Sequence, residues 1–243
     1  LPGFVDSHSH VVWAGNRESE FVDRINGMSY EEIAQKGGGI LNSARKLSLT
    51  SEEELYQNAK ERIEELMDLG TVAIEIKSGY GLSVEGELKM LQVIKRLKEW
   101  SPIPIKATFL GAHTYPQEFK ENHQGYIDLL LNTLLPQISA EGLADYIDVF
   151  CEQGFFSLDE TDQILTAATQ LGLKPKIHAN QLSASGAVEL AVRHQALSVD
   201  HLEEMNAAAE DALAAGSTIA TLLPTCSLFL GIPFANARRL LAK

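Results

Sequence analysis

Two histidines, His8 and His10, lie one residue apart near the start of the chain, in the sequence FVDSHSH. The apolar residues before them predict a short strand. Alternate residues of a strand point to the same face, so both imidazoles would project to one side, about 6.5 to 7 Å apart along the chain. Two imidazoles in this arrangement can bind one metal ion. A pair of solvated or core histidines is the competing interpretation, and the motif by itself does not decide between them.

Three further histidines follow other predicted strands: His113 after the third, His178 at the end of the fifth and His201 at the end of the sixth. In a barrel of alternating strands and helices these ends meet at one face, where active sites lie. Neutral imidazoles suit zinc or ferrous iron, which can lower the pKa of a bound water. Asp200 alternates with His201 along the strand, so we expect it to be a buried structural partner and not a ligand.

The elements that would position these histidines form a repeat of strands and helices. Successive predicted strands are mostly about 25 to 40 residues apart, the length of one strand–helix unit. About seven strands are predicted, around residues 4–5, 72–76, 105–110, 146–150, 175–177, 196–199 and 218–223. The clearest helices are predicted at residues 51–69, 83–100 and 157–172. The spacing favours an α/β fold of the (β/α)8 TIM-barrel type over a doubly wound open sheet, whose first turn more often carries G-x-G-x-x-G.

The composition and charge of the chain indicate which kinds of partner and which cellular compartment to expect. The chain has 243 residues, is 45% hydrophobic and carries a formal net charge of −13 at pH 7. A single domain spanning residues 1–243 can bury a large core, and the charge would repel nucleic acid and anionic membrane surfaces. Cys151 and Cys226 are far apart in sequence, and no apolar run approaches the roughly 20 residues of a membrane helix. These features predict free thiols, a reducing compartment and a cytoplasmic protein.

Several longer segments of the sequence resemble those of a known protein family. PGFVDSHSH, AGNRESEF, GMSYEEIAQKGGGI, EIKSGYGL, FLGAH, DVFCEQGFFS, KIHANQL and SVDHLE together resemble the imidazolonepropionase family of the metal-dependent amidohydrolase superfamily. The resemblance implies hydrolysis of a small molecule, 4-imidazolone-5-propanoate, to N-formimidoyl-L-glutamate in L-histidine degradation. It also implies that the barrel is truncated here, with about seven strands present. The family's eighth strand, which supplies an aspartate ligand, and its small β-rich domain are expected in flanking segments outside residues 1–243.

The same resemblance implies roles for individual positions. One zinc or iron ion per chain would be bound by His8, His10 and His178. The substrate-contacting positions fall on Arg17, Tyr80, His113 and Gln181, and the catalytic candidates are His201 and Gln181.

The chemistry of these side chains agrees with the implied roles. The fork of donors on Arg17 matches a propanoate carboxylate, with a solvated surface arginine as the alternative. His201, near its unperturbed pKa, could transfer protons at neutral pH, with the orienting of a neighbouring group as the alternative. Some family members have glutamate where this chain has Gln181. Because an amide cannot act as a base, the general-base role shifts to His201 or to the aspartate beyond residue 243.

Other interpretations stay open at this point. A deaminase of cytosine or guanine type would share the histidines, and an inactive metal-binding barrel could serve as a structural or interaction module. Arg17 and the KSGYGL turn favour the propanoate substrate over the deaminase. The KGGGI segment is expected to be a loop over the site and not a phosphate cradle, because no G-K-[ST] follows it. A homodimer is one candidate assembly, and Cys151 is expected to be unreactive.

Overall fold

The computed structural model describes residues 1–28, 32 and 38–243 of the chain. The GMSYEEIAQKGGGI word extends outside the described residues, and so do the first two residues of KGGGI, so the expectation of a loop over the site stays a prediction. The described residues form two compact units. The first unit contains residues 1–111 and 115–146, and the second contains residues 112–114 and 147–243.

Three parallel strands organise the first unit: β1 (Phe4–Ser9), β2 (Thr71–Lys77) and most of β3 (Ile105–Ala112). Their order in the sheet follows their order in sequence. The helices of this unit, in chain order, are α1 (Glu18–Ile25), α2 (Ile40–Leu49), α3 (Glu52–Asp68), α4 (Val84–Trp100), α5 (His123–Leu129) and α6 (Leu135–Glu141). A short 3₁₀ turn (Gln117–Phe119) and a π-helical turn (Leu130–Leu134) flank α5.

The second unit contains most of β4 (Tyr146–Cys151), followed by β5 (Lys174–Ala179), β6 (Ser198–His201) and β7 (Ile219–Thr221). These strands also keep their sequence order, and β5 pairs with β6 in parallel so that Ala179 lies opposite His201. The helices are α7 (Leu158–Gln170), α8 (Ala187–Arg193), α9 (Ala207–Ala215), α10 (Pro224–Leu230) and α11 (Ala237–Leu241). The seven strands predicted from the sequence are therefore present among the described residues.

Side-chain caps set the starts of the three helices that the sequence predicts most clearly. Ser51 accepts a hydrogen bond from the Glu54 amide at the start of α3, and Ser83 caps α4 in the same way. Ser157 and Glu160 form a reciprocal capping box at the start of α7. The start of each helix therefore lies within one residue of its predicted position.

Buried ion pairs lie inside the sheets of both units. In the first unit, Lys77 Nζ lies 2.6 Å from Glu75 Oε1, with both side chains buried. In the second, Lys176 Nζ lies 3.4 Å from Asp200 Oδ2, and Ser198 Oγ donates to the other Asp200 oxygen at 2.6 Å. The expectation that Asp200 is a buried structural partner is confirmed. Among the described residues, no helix is both long enough and apolar enough to cross a membrane.

Candidate active site

The His-Ser-His segment lies at the end of β1, where hydrogen bonds fix its backbone. Ser9 Oγ donates to the Glu75 carbonyl on β2 at 2.6 Å, and the His8 amide donates to Asp6 Oδ1 at 3.1 Å. The His8 and His10 rings contact each other, with centroids 5.6 Å apart and planes inclined by 62°. The two imidazoles therefore project from the same end of the strand, as the spacing predicts.

Tyr80 lies next to this pair, in the turn that follows β2. Its ring centroid is 5.3 Å from that of His10. Gly79 has a φ of +106°, a conformation that favours glycine, and a Cβ on Gly81 would lie only 2.3 Å from the Glu87 backbone nitrogen. The two glycines therefore allow a turn tight enough to bring Tyr80 against His10.

A buried carboxylate holds the Tyr80 turn from inside. Glu87, on α4, is fully buried and accepts hydrogen bonds from the amides of Gly79, Gly81 and Leu82 at 3.1, 2.7 and 3.1 Å. Burial raises the pKa of Glu87, while the Ser78 hydroxyl and these three amides act in the opposite direction. Glu87 is not among the residues predicted from the sequence, although a glutamate in the first turn of a helix directly after a glycine-rich turn is a usable signal.

Arg17 immediately precedes α1 and is paired with a carboxylate of that helix. Its Nε donates to Glu20 Oε2 at 2.7 Å, and the second Glu20 oxygen accepts from the Gly39 amide at 3.1 Å. Burial alone would raise the pKa of Glu20, but the Arg17 guanidinium and the Gly39 amide lower it below its ordinary value. Arg17 is therefore oriented by an ion pair and is not a fully solvated surface side chain.

The second unit brings together three of the predicted histidines. The ring centroid of His178 lies 5.8 Å from that of His113 and 5.1 Å from that of His201. Phe150, from β4, contacts the rings of His113 and His178. The strand-end positions noted in the sequence thus become one contiguous cluster within this unit.

Asp148, on β4, orients His178 through two contacts. Its Oδ2 lies 3.0 Å from His178 Nδ1, and its Oδ1 accepts the His178 amide at 3.1 Å. A carboxylate on Nδ1 fixes the imidazole tautomer with its Nε2 lone pair available to a metal ion, as is usual for metal-binding histidines. Asp148 is not among the residues predicted from the sequence, although it is the single charged residue in the strand YIDVFC.

His201 ends β6 in an unusual backbone conformation. Its φ is +93°, and that of Leu202 is +68°. Burial alone would lower the pKa of His201, but the neighbouring Cys226 thiol and the Glu203 carboxylate, whose Oε2 lies 3.8 Å from His201 Nδ1, raise it to about 9. Glu203 in turn accepts from Ser227 Oγ at 2.6 Å. The expectation of an unperturbed pKa for His201 is wrong, because Glu203, two residues along the chain, and the distant Cys226 favour its protonated form.

Gln181 lies in the loop after β5 and is buried. Its Nε2 donates to Cys226 Sγ at 3.6 Å, which places the amide beside the thiol that also raises the pKa of His201. The second cysteine of the chain, Cys151, is buried, and burial raises the pKa of its thiol to about 11. This environment agrees with the expectation that Cys151 is unreactive.

No family model matches the chain. Curated relatives do match it along nearly its whole length. It is 59% identical over 241 residues to the imidazolonepropionase of Flavobacterium johnsoniae and 56% identical over 241 residues to that of Christiangramia forsetii, covering 99% of this chain in both cases. The imidazolonepropionase of Clostridium tetani is 45% identical over all 243 residues. The chain spans about 59% of the length of the first two relatives.

Solved structures of other proteins resemble the fold. A 5-methylcytosine deaminase from Klebsiella pneumoniae matches 94% of this chain with a TM-score of 0.70 at 16% identity, and the match covers 55% of that protein's chain. An adenine deaminase from Arthrobacter aurescens matches 100% of this chain with a TM-score of 0.67 at 17% identity, covering 79% of that protein's chain. At these identities the likeness concerns the fold alone, and it confirms the predicted α/β fold of the TIM-barrel type. The resemblance to the imidazolonepropionase family is likewise confirmed by the curated relatives. This chain corresponds to roughly three fifths of their length.

Proposed function

We propose that the protein containing this chain is a metal-dependent hydrolase that opens the ring of 4-imidazolone-5-propanoate by water attack and releases N-formimidoyl-L-glutamate. The observation that carries the proposal is the identity of 45 to 59% to imidazolonepropionases over nearly the whole chain. In this role the protein would act on a small-molecule substrate in L-histidine degradation, in the cytoplasm. A homodimer stays a prediction.

The proposed ligands of one zinc or iron ion are His8, His10 and His178. Two features support this assignment. The His8 and His10 rings project from the same strand end, and the carboxylate of Asp148 orients His178 as expected for a ligand imidazole. An amidohydrolase from Burkholderia ambifaria with bound Zn also matches the fold with a TM-score of 0.64 at 15% identity. The donor set is all imidazole, which suits either zinc or ferrous iron.

The bound ion would supply a water of lowered pKa as a nucleophile at neutral pH. The other steps are proposed for residues of this chain. Arg17, held by Glu20, binds the propanoate carboxylate with its remaining donors. Tyr80 and His113 contact the ring and help to orient it beside the metal ligands.

His201 and Gln181 are the proposed catalytic residues. His201 is proposed to donate a proton to the nitrogen that leaves as the ring opens, because an imidazole can transfer protons near neutral pH. Gln181 has an amide that donates hydrogen bonds but cannot remove a proton, so we assign it the binding and polarisation of the ring carbonyl. The first proton acceptor is proposed to be either His201 or the aspartate that the family resemblance implies outside residues 1–243.

The deaminase alternative has less support. The solved deaminases share only the fold with this chain, and the same fold supports many reactions. An inactive metal-binding barrel is the second alternative, and it predicts metal binding without turnover.

The test is turnover by the purified full-length protein loaded with zinc or with iron. We expect loss of 4-imidazolone-5-propanoate with formation of N-formimidoyl-L-glutamate, and no ammonia release from cytosine or guanine. Arg17→Ala should raise KM by about 10- to 100-fold with a smaller change in kcat, because a charge-assisted bond to the substrate is lost. Arg45→Ala is the matched control, because it also removes an arginine side chain, one whose Nη2 donates an exposed hydrogen bond to Asn42 Oδ1. Ammonia release, or metal binding without turnover, would establish one of the alternatives instead.

A further inference from the structure

We propose that Glu152 is a positioning residue that sets where the Gln181 side chain lies. Glu152 directly follows β4, while Gln181 belongs to the loop that follows β5. Glu152 is 2% exposed, so its carboxylate must be satisfied inside the protein. This inference rests on the proposed function only for its catalytic consequence, because the geometry that carries it is independent of the reaction.

The Glu152 carboxylate binds the residues immediately after Gln181. Its Oε2 accepts the amide of Leu182 at 2.9 Å and the amide of Ser183 at 3.3 Å. Its Oε1 accepts the Ser183 hydroxyl and the Gln153 amide. A carboxylate that accepts several backbone N–H groups fixes their positions more strongly than a neutral acceptor would.

Apolar packing does not explain the position of this loop. Leu182 is 51% exposed, so its side chain contributes little burial that would anchor the backbone. The contacts that hold the backbone amides of Leu182 and Ser183 are instead their hydrogen bonds to the Glu152 carboxylate.

Asn180 fixes the other side of Gln181. Its side-chain Nδ2 donates to the Glu204 carbonyl at 2.9 Å, and its carbonyl accepts the Glu204 amide at 2.8 Å. Asn180 has a φ of +54°, a region that asparagine adopts more readily than most residues. Gln181 is thus held between two anchored neighbours, and its amide reaches Cys226 Sγ at 3.6 Å.

The test compares Glu152→Gln with Glu160→Gln. Glu160 is a matched control because its carboxylate also accepts a backbone amide and a hydroxyl, both from Ser157, but at the exposed start of α7. The first measurement is the rate at which N-ethylmaleimide labels Cys226, followed by peptide mass spectrometry. Cys151, buried with a pKa of about 11, should label slowly and serves as an internal reference.

We expect Glu152→Gln to speed labelling of Cys226 by about fivefold or more, because Gln181 no longer rests against the thiol, and Glu160→Gln to leave the rate unchanged. Ser183→Ala, which removes only the hydroxyl contact, should give a smaller change in the same direction and covers the case in which Glu152→Gln fails to fold. An unchanged Cys226 rate in both loop variants would overturn the proposal.

The second measurement is steady-state kinetics of the full-length, metal-loaded protein. Glu152→Gln should raise KM or lower kcat by about tenfold, and this effect should largely vanish when Gln181 is already alanine. Equal losses in the Gln181 and Gln181→Ala backgrounds would mean that Glu152 acts on the fold alone. If the wild type does not turn over the substrate, the proposed function fails, while the labelling rates still decide the role of Glu152.

Discussion

The turn after β2 and the loop after β5 are both held by a buried glutamate, but the two glutamates differ in their distance along the chain from the amides that they accept. In both, a buried glutamate accepts the backbone amides beside a residue proposed to contact substrate, Tyr80 in one case and Gln181 in the other. Glu87 is five to eight residues from its three amides in sequence, whereas Glu152 is 30 and 31 residues from the two amides that it accepts in the β5 loop. The hydrogen bonds of Glu87 are therefore local to the segment from β2 to α4. Those of Glu152 join the end of β4 to the loop after β5, which are distant in sequence.

This difference has consequences for folding and for stability. Closing a short loop costs less chain entropy than closing a long one, so the Glu87 turn can form as soon as β2 and α4 pack. The Glu152 loop requires β4 and β5 to be in place first. The β2 turn is also fixed by backbone packing, because Gly81 lies directly against the Gly86 and Glu87 backbone. The β5 loop is instead held at its other side by hydrogen bonds between Asn180 and Glu204.

The largest expected effect tests the backbone packing of the β2 turn. Gly81→Ala would place a Cβ 2.3 Å from the Glu87 nitrogen, so we expect a loss of about 3 kcal/mol or more in the free energy of unfolding, measured by urea denaturation. Gly142→Ala, at a φ of +61° with open space around it, should cost only about 1 kcal/mol. Similar losses for both variants would mean that close packing does not distinguish the β2 turn.

A smaller effect compares the two carboxylates directly. Glu87→Gln should cost about 2 to 3 kcal/mol, because a buried amide cannot accept all three N–H bonds. Glu152→Gln should cost about 1 to 2 kcal/mol, since its loop lies near solvent and can relax. Denaturant titration of the two variants checks the order, and a larger loss at Glu152 would reverse the comparison.

The smallest effect concerns a third glutamate, Glu20, whose carboxylate accepts hydrogen bonds from the Arg17 side chain and from the Gly39 amide. The pKa of Glu20 is lowered in the folded chain, so its ionised form contributes stability above its ordinary pKa of 4.5, and this contribution is lost as pH falls below that value. The difference in free energy of unfolding between wild type and Glu20→Gln should be about 1 kcal/mol at pH 7 and should shrink below pH 4.5. If this difference in the free energy of unfolding stays constant with pH, the ion pair between Arg17 and Glu20 is not its cause.

The sequence predicts the framework well because its signals are local. Alternating apolar strands, serine caps at Ser51, Ser83 and Ser157, and strand-end histidines each depend on residues within a few positions. The seven strands and the three capped helices accordingly appear where the sequence places them.

What the sequence does not predict depends on contacts between distant residues. Asp148 meets His178 and Glu152 meets Leu182 across 30 residues, and no spacing rule encodes either contact. The pKa of His201 follows from Cys226, 25 positions away in the printed sequence, and from Glu203. Glu87 is only partly predictable from the sequence. Its position in the first turn of a helix can be predicted, but its hydrogen bonds to the turn after β2 cannot.

The left-handed backbone at His201 and Leu202 constrains how this corner can be altered by protein engineering. A left-handed conformation costs a leucine about 1 to 2 kcal/mol, while full burial of its side chain contributes about 1.5 to 3 kcal/mol. Leu202 is completely buried, so glycine would relax the backbone but would lose the larger contribution. A variant library at this position should therefore retain large apolar side chains, even though the backbone angle alone would recommend glycine or asparagine.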